Sequence, residues 1–243
     1  MSLILGGAGY IGENLVRKVE DPIIYDIKFG NDILDYDLLC KSMKEATVCY
    51  HLAAISGRKA CSDKPNLALK TNVEGTHNVL RAAQKYGVKV VFTSSIAAVS
   101  LADYYGYTKK MGELLCEHFE AIIFRCSNVY GGYRYLEKKD TVISKFVKND
   151  VLTIHGDGLQ VRDFVHVDDI TDFLLKTPEY ETGIYNTCTG EMTSIIDLAK
   201  IILSLKGKGD IVYEERKTVN SPKLNPSFKP KISLEKGLRK LIN

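Results

Sequence analysis

The sequence lacks the close cysteine spacings that carry metal or redox chemistry. Its six cysteines, Cys40, Cys49, Cys61, Cys116, Cys126 and Cys188, are dispersed, with no C-x-x-C pair. That spread excludes the usual zinc and disulfide frameworks and leads us to expect buried, reduced thiols in a cytoplasmic protein. Histidine is also scarce: His51, His77, His118, His155 and His166 have no partners at ligand spacing, so no metal site is expected. His51, ending an apolar run, reads as a packed strand-end side chain. The 33 basic and 30 acidic residues give a net charge of +3, spread along the chain. No dense Lys/Arg block interleaved with aromatics occurs, which argues against a nucleic-acid partner. No apolar run is long enough to span a bilayer, and "MSLIL" runs straight into glycines without the pattern of a secretory leader. The expectation is a soluble cytoplasmic protein with no membrane partner.

What the chain does have is alternation. "SLIL", "PIIYDI", "TVCYHLAA", "VKVVFTSS" and "AIIFRCS" read as strands. Between them "GENLVRKVE", "YDLLCKSMKEA", "NLALKTNVEGTHNVLRAAQKYG" and "YYGYTKKMGELLCEHF" read as helices. In the third, Leu67, Val73, His77, Leu80 and Ala83 recur at roughly helical spacing. Such alternation builds an α/β fold, a Rossmann-type doubly wound parallel sheet that binds ligands at the carboxyl ends of its strands. After Tyr130 the pattern lapses into short strands and helices. The tail carries Pro222, Pro226 and Pro230, half of the six prolines, before a last amphipathic helix. We expect a dinucleotide-binding domain over 1–128, with part of 160–190 packing back onto it. A smaller C-terminal substrate-binding lobe would then occupy 129–243.

Two local patterns carry chemistry. "LILGGAGYIGENLV" joins the first strand to the first helix through Gly6, Gly9 and Gly12. A tight turn, a close backbone and a helix amino terminus suit a pyrophosphate. Asp26, ending the second strand, stands where an acid grips the adenosine ribose hydroxyls and repels a 2′-phosphate, favouring NAD over NADP. The second pattern is Tyr105-x-x-x-Lys109, close behind Ser94 and Ser95. Four residues apart on a helix, the two side chains share a face and reach one ligand, although a solvent-facing pair at the start of a surface helix would show the same spacing.

With these pieces in place the chain resembles the extended short-chain dehydrogenase/reductase family, particularly its nucleotide-sugar epimerases and dehydratases. "GGAGYIG" matches the cofactor turn, which brings in Tyr10 and Ile11 beside the three glycines. "NDILD" resembles the adenine element, with Asp32 and Ile33. "HLAA" matches the third strand end, with Leu52, Ala53 and Ala54, and "NVEGTHNVLRAA" the helix whose Asn72 sits near the catalytic group. "YGYTK" matches Y-x-x-x-K, "RCSNVYG" supplies Asn128 facing the substrate, and "LTIHGDGLQVRDFVHVDD" looks like the diphosphate clamp.

The resemblance implies NAD as cofactor and a nucleotide-diphosphate sugar as substrate. Tyr105 would be the acid/base, with Lys109 favouring its phenolate and holding the nicotinamide ribose. Ser95, with Ser94 in reserve, would hydrogen-bond the reacting sugar oxygen. Arg162, helped by Arg216, would hold the diphosphate; Arg162 could instead pair with Asp163 or Asp168. Family dehydratases carry an acidic pair after the serine, and the decarboxylases a glutamate nearby. Here Ile96, Ala97 and Ala98 follow, which points to 4-epimerisation of a UDP-hexose. The alternatives are a 4,6-dehydratase or reductase, or a dinucleotide-binding regulator without catalysis. A homodimer through the helices around 72–86 and 105–119 is implied as well. Two segments are shorter than the family's, "IKFGN" after Asp26 and "IAAVSLADY" between Ser95 and Tyr105.

Overall fold

The computed structural model describes residues 1–242, which form two compact units. The first comprises 1–126 and 171–185, the second 127–170 and 186 onward. In the first unit β1 (Ser2–Leu5), α1 (Tyr10–Val16), β2 (Ile23–Tyr25), α2 (Tyr36–Lys44) and β3 (Val48–His51) come in strict alternation. Short helices α3 (Arg58–Asp63) and α4 (Pro65–Leu69) precede α5 (Gly75–Tyr86) and β4 (Lys89–Ser95). Then follow α6 (Ala97–Ser100), α7 (Tyr104–His118) and β5 (Ile122–Cys126).

β1 pairs in parallel with β2 and β3, β3 with β4, and β4 with β5. Leu3, Ile4 and Leu5 are fully buried, as an apolar strand covered on both faces must be. The order is β2-β1-β3-β4-β5-β9, so the chain leaves β1 toward one edge and returns on its other side at β3. A ligand crevice opens at such a reversal, above the carboxyl ends of β1 and β3. Among the described residues only β2 lies beyond β1. The stretch after Asp26 that usually carries another strand is instead a single 3₁₀ turn, Ile27–Phe29, ended by Gly30 at φ 82°.

Local chemistry explains the helix ends. Asp35 caps α2 by accepting the Leu38 N–H, and Asp103 caps α7 by accepting that of Gly106 at 2.8 Å. Gly87 in the left-handed region stops α5. The single helix expected from Asn66 to Gly87 is interrupted. A π-turn spans Lys70–Glu74 between α4 and α5, and it re-aims Asn72 inward. The buried face is therefore Ala68, Thr76, Val79, Leu80 and Ala83, while Leu67 is exposed.

The second unit contains β6 (Asn128–Tyr130), α8 (Tyr135–Lys138), α9 (Val142–Lys148), β7 (Val151–His155) and β8 (Val161–His166). α10 (Val167–Leu174) and β9 (Gly183–Thr187) straddle the division between the units. The second unit then resumes with β10 (Met192–Ser194), α11 (Ile195–Lys206), β11 (Asp210–Glu214) and α12 (Leu234–Ile242). β10, β8 and β6 form one small sheet and β11 with β7 another. The three-stranded sheet was not foreseen, because β6 and β10 are only three residues long and carry no readable period.

Candidate active site

The glycine turn is as tight as its spacing implies. Gly6 has φ 82°, and a Cβ there would lie 2.7 Å from the backbone nitrogen of Ala53. A Cβ on Gly12 would run into the carbonyl oxygen of Gly6. No larger residue fits either position, so β1, α1 and the end of β3 close around one spot. α1 starts after Gly9 with no side-chain cap, with Tyr10 and Ile11 in its first turn. Leu52 donates its N–H to Leu5 and leads into Ala53 and Ala54, all part-exposed beside the turn.

Asp26 is buried and reaches back to the turn. Its Oδ2 accepts the Ala8 N–H at 2.9 Å and its Oδ1 that of Lys28 at 3.0 Å. A carboxylate has about four acceptor sites, so two bonds leave capacity for ribose hydroxyls. Asp32 caps its own loop through Leu34 N–H, and Ile33 packs against the start of α5 near Gly75. This cradle fits a dinucleotide: a glycine turn at a helix start, with an acid fixed beside it.

The catalytic candidates meet on α7. Ser95 faces the Tyr105 phenol and favours its charged form, and its Oγ accepts the Ala97 N–H at 3.2 Å. Lys109 is 4% exposed; its Nζ donates to the Thr93 carbonyl at 2.7 Å and stands 4.9 Å from the Phe92 ring centre. Burial pushes the Lys109 ammonium down to about 8, partly offset by Cys126, Cys116, Cys61 and Glu113. Burial also pushes the Tyr105 phenol up, and Ser95 only partly counters it. Among the chain's own groups, desolvation therefore outweighs Ser95 at this phenol.

Asn72 sits in the π-turn, 2% exposed, with every face of its amide engaged. Its Oδ1 accepts Ile55 N–H at 2.8 Å, and its Nδ2 donates to the Ile55 carbonyl and to Thr108 Oγ1, each at 3.0 Å. Asn72 thus braces α7 one residue before Lys109 and is positioned as a support. His51 is buried against Thr76 and Phe92, and burial with Lys109 nearby pushes it down to about 3, so it stays neutral.

Ser94 departs from its expected place. It is 2% exposed and donates to Glu113 Oε1 at 2.6 Å, on the same strand face as Phe92. A serine committed to a buried carboxylate has no hydroxyl to offer a sugar, so the substrate role foreseen for Ser94 is withdrawn. Glu113 and Arg125, which complete that contact, were missed from the sequence. The signal was present in the i, i+4, i+8 spacing of Tyr105, Lys109 and Glu113. Asp103 was missed too; besides capping α7 it forms an ion pair with Arg58 Nε at 2.6 Å.

In the second unit Asn128 donates to the Asp163 carbonyl at 3.0 Å. Arg162 donates to the carbonyls of Val161 at 2.8 Å and Val219 at 2.6 Å. Asp163 spends its carboxylate on Ser127, Thr189 and Gly190. Arg216 is exposed and lies 3.1 Å from His155 Nδ1. Arg162 is thus held by the tail and Arg216 rests on the end of β7. Among the described residues no cluster of His, Cys, Asp or Glu could hold a metal ion, and no helix is long and apolar enough to cross a membrane.

Comparison with known proteins agrees with this geometry. The family model described as the NAD dependent epimerase/dehydratase family matches residues 2–188. A putative UDP-glucose 4-epimerase of Methanocaldococcus jannaschii is 31% identical, covering 100% of this chain and 97% of that protein. That alignment runs over 297 positions against a chain of 243 residues, so it opens gaps in this chain, as its short loops require. A UDP-N-acetyl-alpha-D-glucosaminuronate decarboxylase of Bacillus cytotoxicus is 27% identical over 99% of the chain and 96% of that protein. The crystal structure of a UDP-glucose 4-epimerase from Thermotoga maritima with UDP-glucose superposes with a TM-score of 0.89. At 24% identity it covers 99% of this chain and 97% of that one, and carries the fold alone. A glycine cradle with its acid, a tyrosine–lysine helix facing a strand-end serine and a family match over most of the length lead to one conclusion. The chain belongs to the NAD-dependent epimerase/dehydratase family.

Proposed function

We propose that this protein epimerises a UDP-hexose at C4 through a transient 4-keto sugar. The observation that carries the reading is the strand-end Ser95 beside Tyr105 and buried Lys109 on α7, with Ile96, Ala97 and Ala98 rather than acids following the serine. Elimination of water needs a second acid/base next to the reacting carbons. The residues directly after Ser95 supply none, and Asp103, the one acid between it and Tyr105, is taken up by the α7 cap and Arg58. Epimerisation needs a single proton-transferring group. The 31% identical relative named a putative UDP-glucose 4-epimerase supports this choice over the decarboxylase and dehydratase names nearby.

In this reading Gly6, Gly9 and Gly12 with the first turn of α1 hold the pyrophosphate of NAD. Asp26 and Asp32 hold its adenosine end, Leu52 to Ala54 line its middle, and Lys109 holds its nicotinamide ribose. Bound there, NAD would supply a reversible hydride acceptor for C4, and a keto-sugar free to turn about its diphosphate linkage would present its other face for the return. Tyr105 takes the 4-hydroxyl proton and gives it back. Ser95 orients that oxygen, Asn128 faces the sugar, and Arg162 with Arg216 steadies the diphosphate during the turn. A nicotinamide cation would add to Lys109 in drawing the raised Tyr105 phenol back toward neutral pH.

The protein works, on this account, as a homodimer in the cytoplasm. Tyr107, Met111 and Leu114 are 46–53% exposed and lie on one face of α7, a stripe suited to a second copy. The six free, buried cysteines suit a reducing compartment. Conversion of UDP-glucose to its 4-epimer, with no net change in NADH, tests the reading. Release of water or CO₂ instead would replace it with a dehydratase or a decarboxylase.

A further inference from the structure

The residues that carry the proposed proton transfer are held by a buried charge that the transfer itself does not use. Glu113 follows Lys109 by one helical turn and Tyr105 by two, on the same face of α7. It is 0% exposed, and both carboxylate oxygens are taken. Oε1 accepts Arg125 Nε at 2.7 Å and the Ser94 hydroxyl at 2.6 Å, while Oε2 accepts Arg125 Nη2 at 2.7 Å. Lys110 Nζ stands 3.4 Å from Oε2. Ser94 and Arg125 face each other across the β4–β5 ladder, each one residue before the strand ends at Ser95 and Cys126. One carboxylate therefore ties the helix to two neighbouring strands directly beneath the site.

Apolar packing alone would hold α7 on the sheet, as Phe92 against Gly112 already does. It would also tolerate small slides and rotations. A two-pronged arginine–carboxylate contact does not, because both N–H···O lines must be kept at once. A buried ion pair adds little stability over an apolar pair of the same volume, so its presence calls for another reason.

We propose that Ser94, Glu113 and Arg125 form a positioning device that fixes the rotation of α7. It thereby holds Tyr105 against Ser95 and Lys109 beneath the Thr93 carbonyl. The inference rests on the reading of Tyr105 as the acid/base and deepens it by naming what sets that residue's geometry and charge. Lys109 is faced by Thr93, Phe92, His51, Cys61, Cys116, Cys126 and Glu113. His51 is neutral and burial pushes the Cys61 and Cys116 thiols up, so Glu113 is the full negative charge among them at neutral pH. Tyr105 is faced by Ser95, Cys126, Cys61 and Asp103, the last paired with Arg58. A rotated or discharged α7 would leave the phenol with its desolvation and without its Ser95 partner or a charged Lys109.

The test titrates Tyr105 in the NAD⁺-bound protein, read as the tyrosinate absorbance that Tyr105→Phe removes. Arg125→Lys keeps a cation but loses the fork, and Ser94→Ala removes only the link to β4. Arg125→Lys is expected to raise the midpoint by about half to one pH unit. It should lower kcat by about ten- to a hundredfold, with KM and the NAD⁺ Kd within about twofold of the parent. Ser94→Ala should shift both in the same direction and by less. Folded variants that titrate at the parent midpoint overturn the proposal, even if their melting temperatures have dropped, because that is what a merely structural contact would do. The titration does not depend on the sugar. Failure of the parent protein to epimerise any UDP-hexose would sink the functional reading while the midpoints still decide this one.

Discussion

Lys109 in the first unit and Arg162 in the second are both cations donating to backbone carbonyls, yet they are held in opposite ways. Lys109 bonds Thr93 on the neighbouring strand at 2.7 Å and is almost wholly buried among groups of β3, β4, α3 and α7. Arg162 bonds its own neighbour Val161 and, at 2.6 Å, Val219 in an irregular tail, and stays half-buried. The first arrangement is set by a helix on a strand, whose periods are visible in a sequence. The second depends on where a proline-containing tail comes to rest 57 residues later. A residue's role is easier to argue where regular elements fix it than where a loop does.

That contrast can be broken most severely at Tyr105. Tyr105→Phe should lower turnover by about 10²–10⁴-fold, the range for losing a general acid/base, and leave NAD⁺ affinity nearly unchanged in a titration of bound cofactor. A mild effect would mean that the buried, well-placed unit does not carry the chemistry.

Next in size is the charge beneath it. Glu113→Ala removes the two-pronged acceptor of half-buried Arg125 and should cost about 1–3 kcal/mol in urea unfolding, whereas Glu113→Gln with Arg125→Met should cost less. The pH dependence sharpens the point. Burial raises the Glu113 carboxyl, but Arg125, Ser94 and Lys110 outweigh it, so the net shift is downward. A depressed carboxyl stabilises fully above its unfolded value of about 4.3 and loses that contribution as pH falls through the lower folded value. The stability gap between the parent and the doubly neutral variant should therefore hold at pH 6 to 7 and change only in acid.

Gly12→Ala is the third. Its Cβ would meet the Gly6 carbonyl, so the turn must open, and NAD⁺ binding measured by calorimetry should weaken by about tenfold or more.

The sequence was legible where its periods and spacings are strong. The order of β1 to β5 with their helices, the glycine turn, Asp26 and the Tyr105–Lys109 face are all present as read. It was not legible at Asn66–Gly87, where one helical period concealed a π-turn, since the insertion of a single residue per turn leaves composition untouched. The sequence favoured Ser95 over Ser94, but it could not show the buried carboxylate that takes the Ser94 hydroxyl under α7. The raised Tyr105 phenol was invisible because desolvation belongs to the packed structure and not to a motif. In the second unit the tail segment from 215 to 233 carries no regular element, and with it the surroundings of Arg162 and Arg216 could not be drawn from periodicity.

The smallest expected effects test that second unit. Arg162→Met should raise KM for the nucleotide sugar by about tenfold, with kcat changed less and NAD⁺ binding unaffected. Arg216, exposed and resting on His155, should contribute less, and Arg216→Met a change of about threefold or under. If Arg216→Met exceeds Arg162→Met, the roles of the two arginines are reversed and the comparison must be redrawn around the tail.

The most direct measurement follows the sugar by NMR when the purified protein is incubated with UDP-glucose and NAD⁺, beside the Tyr105→Phe variant. The account predicts that the 4-epimer accumulates to equilibrium with the parent protein and not with the variant, and that NADH does not build up. Bound NAD⁺ with no epimer from UDP-glucose or UDP-N-acetylglucosamine, or an equal rate in Tyr105→Phe, would contradict it.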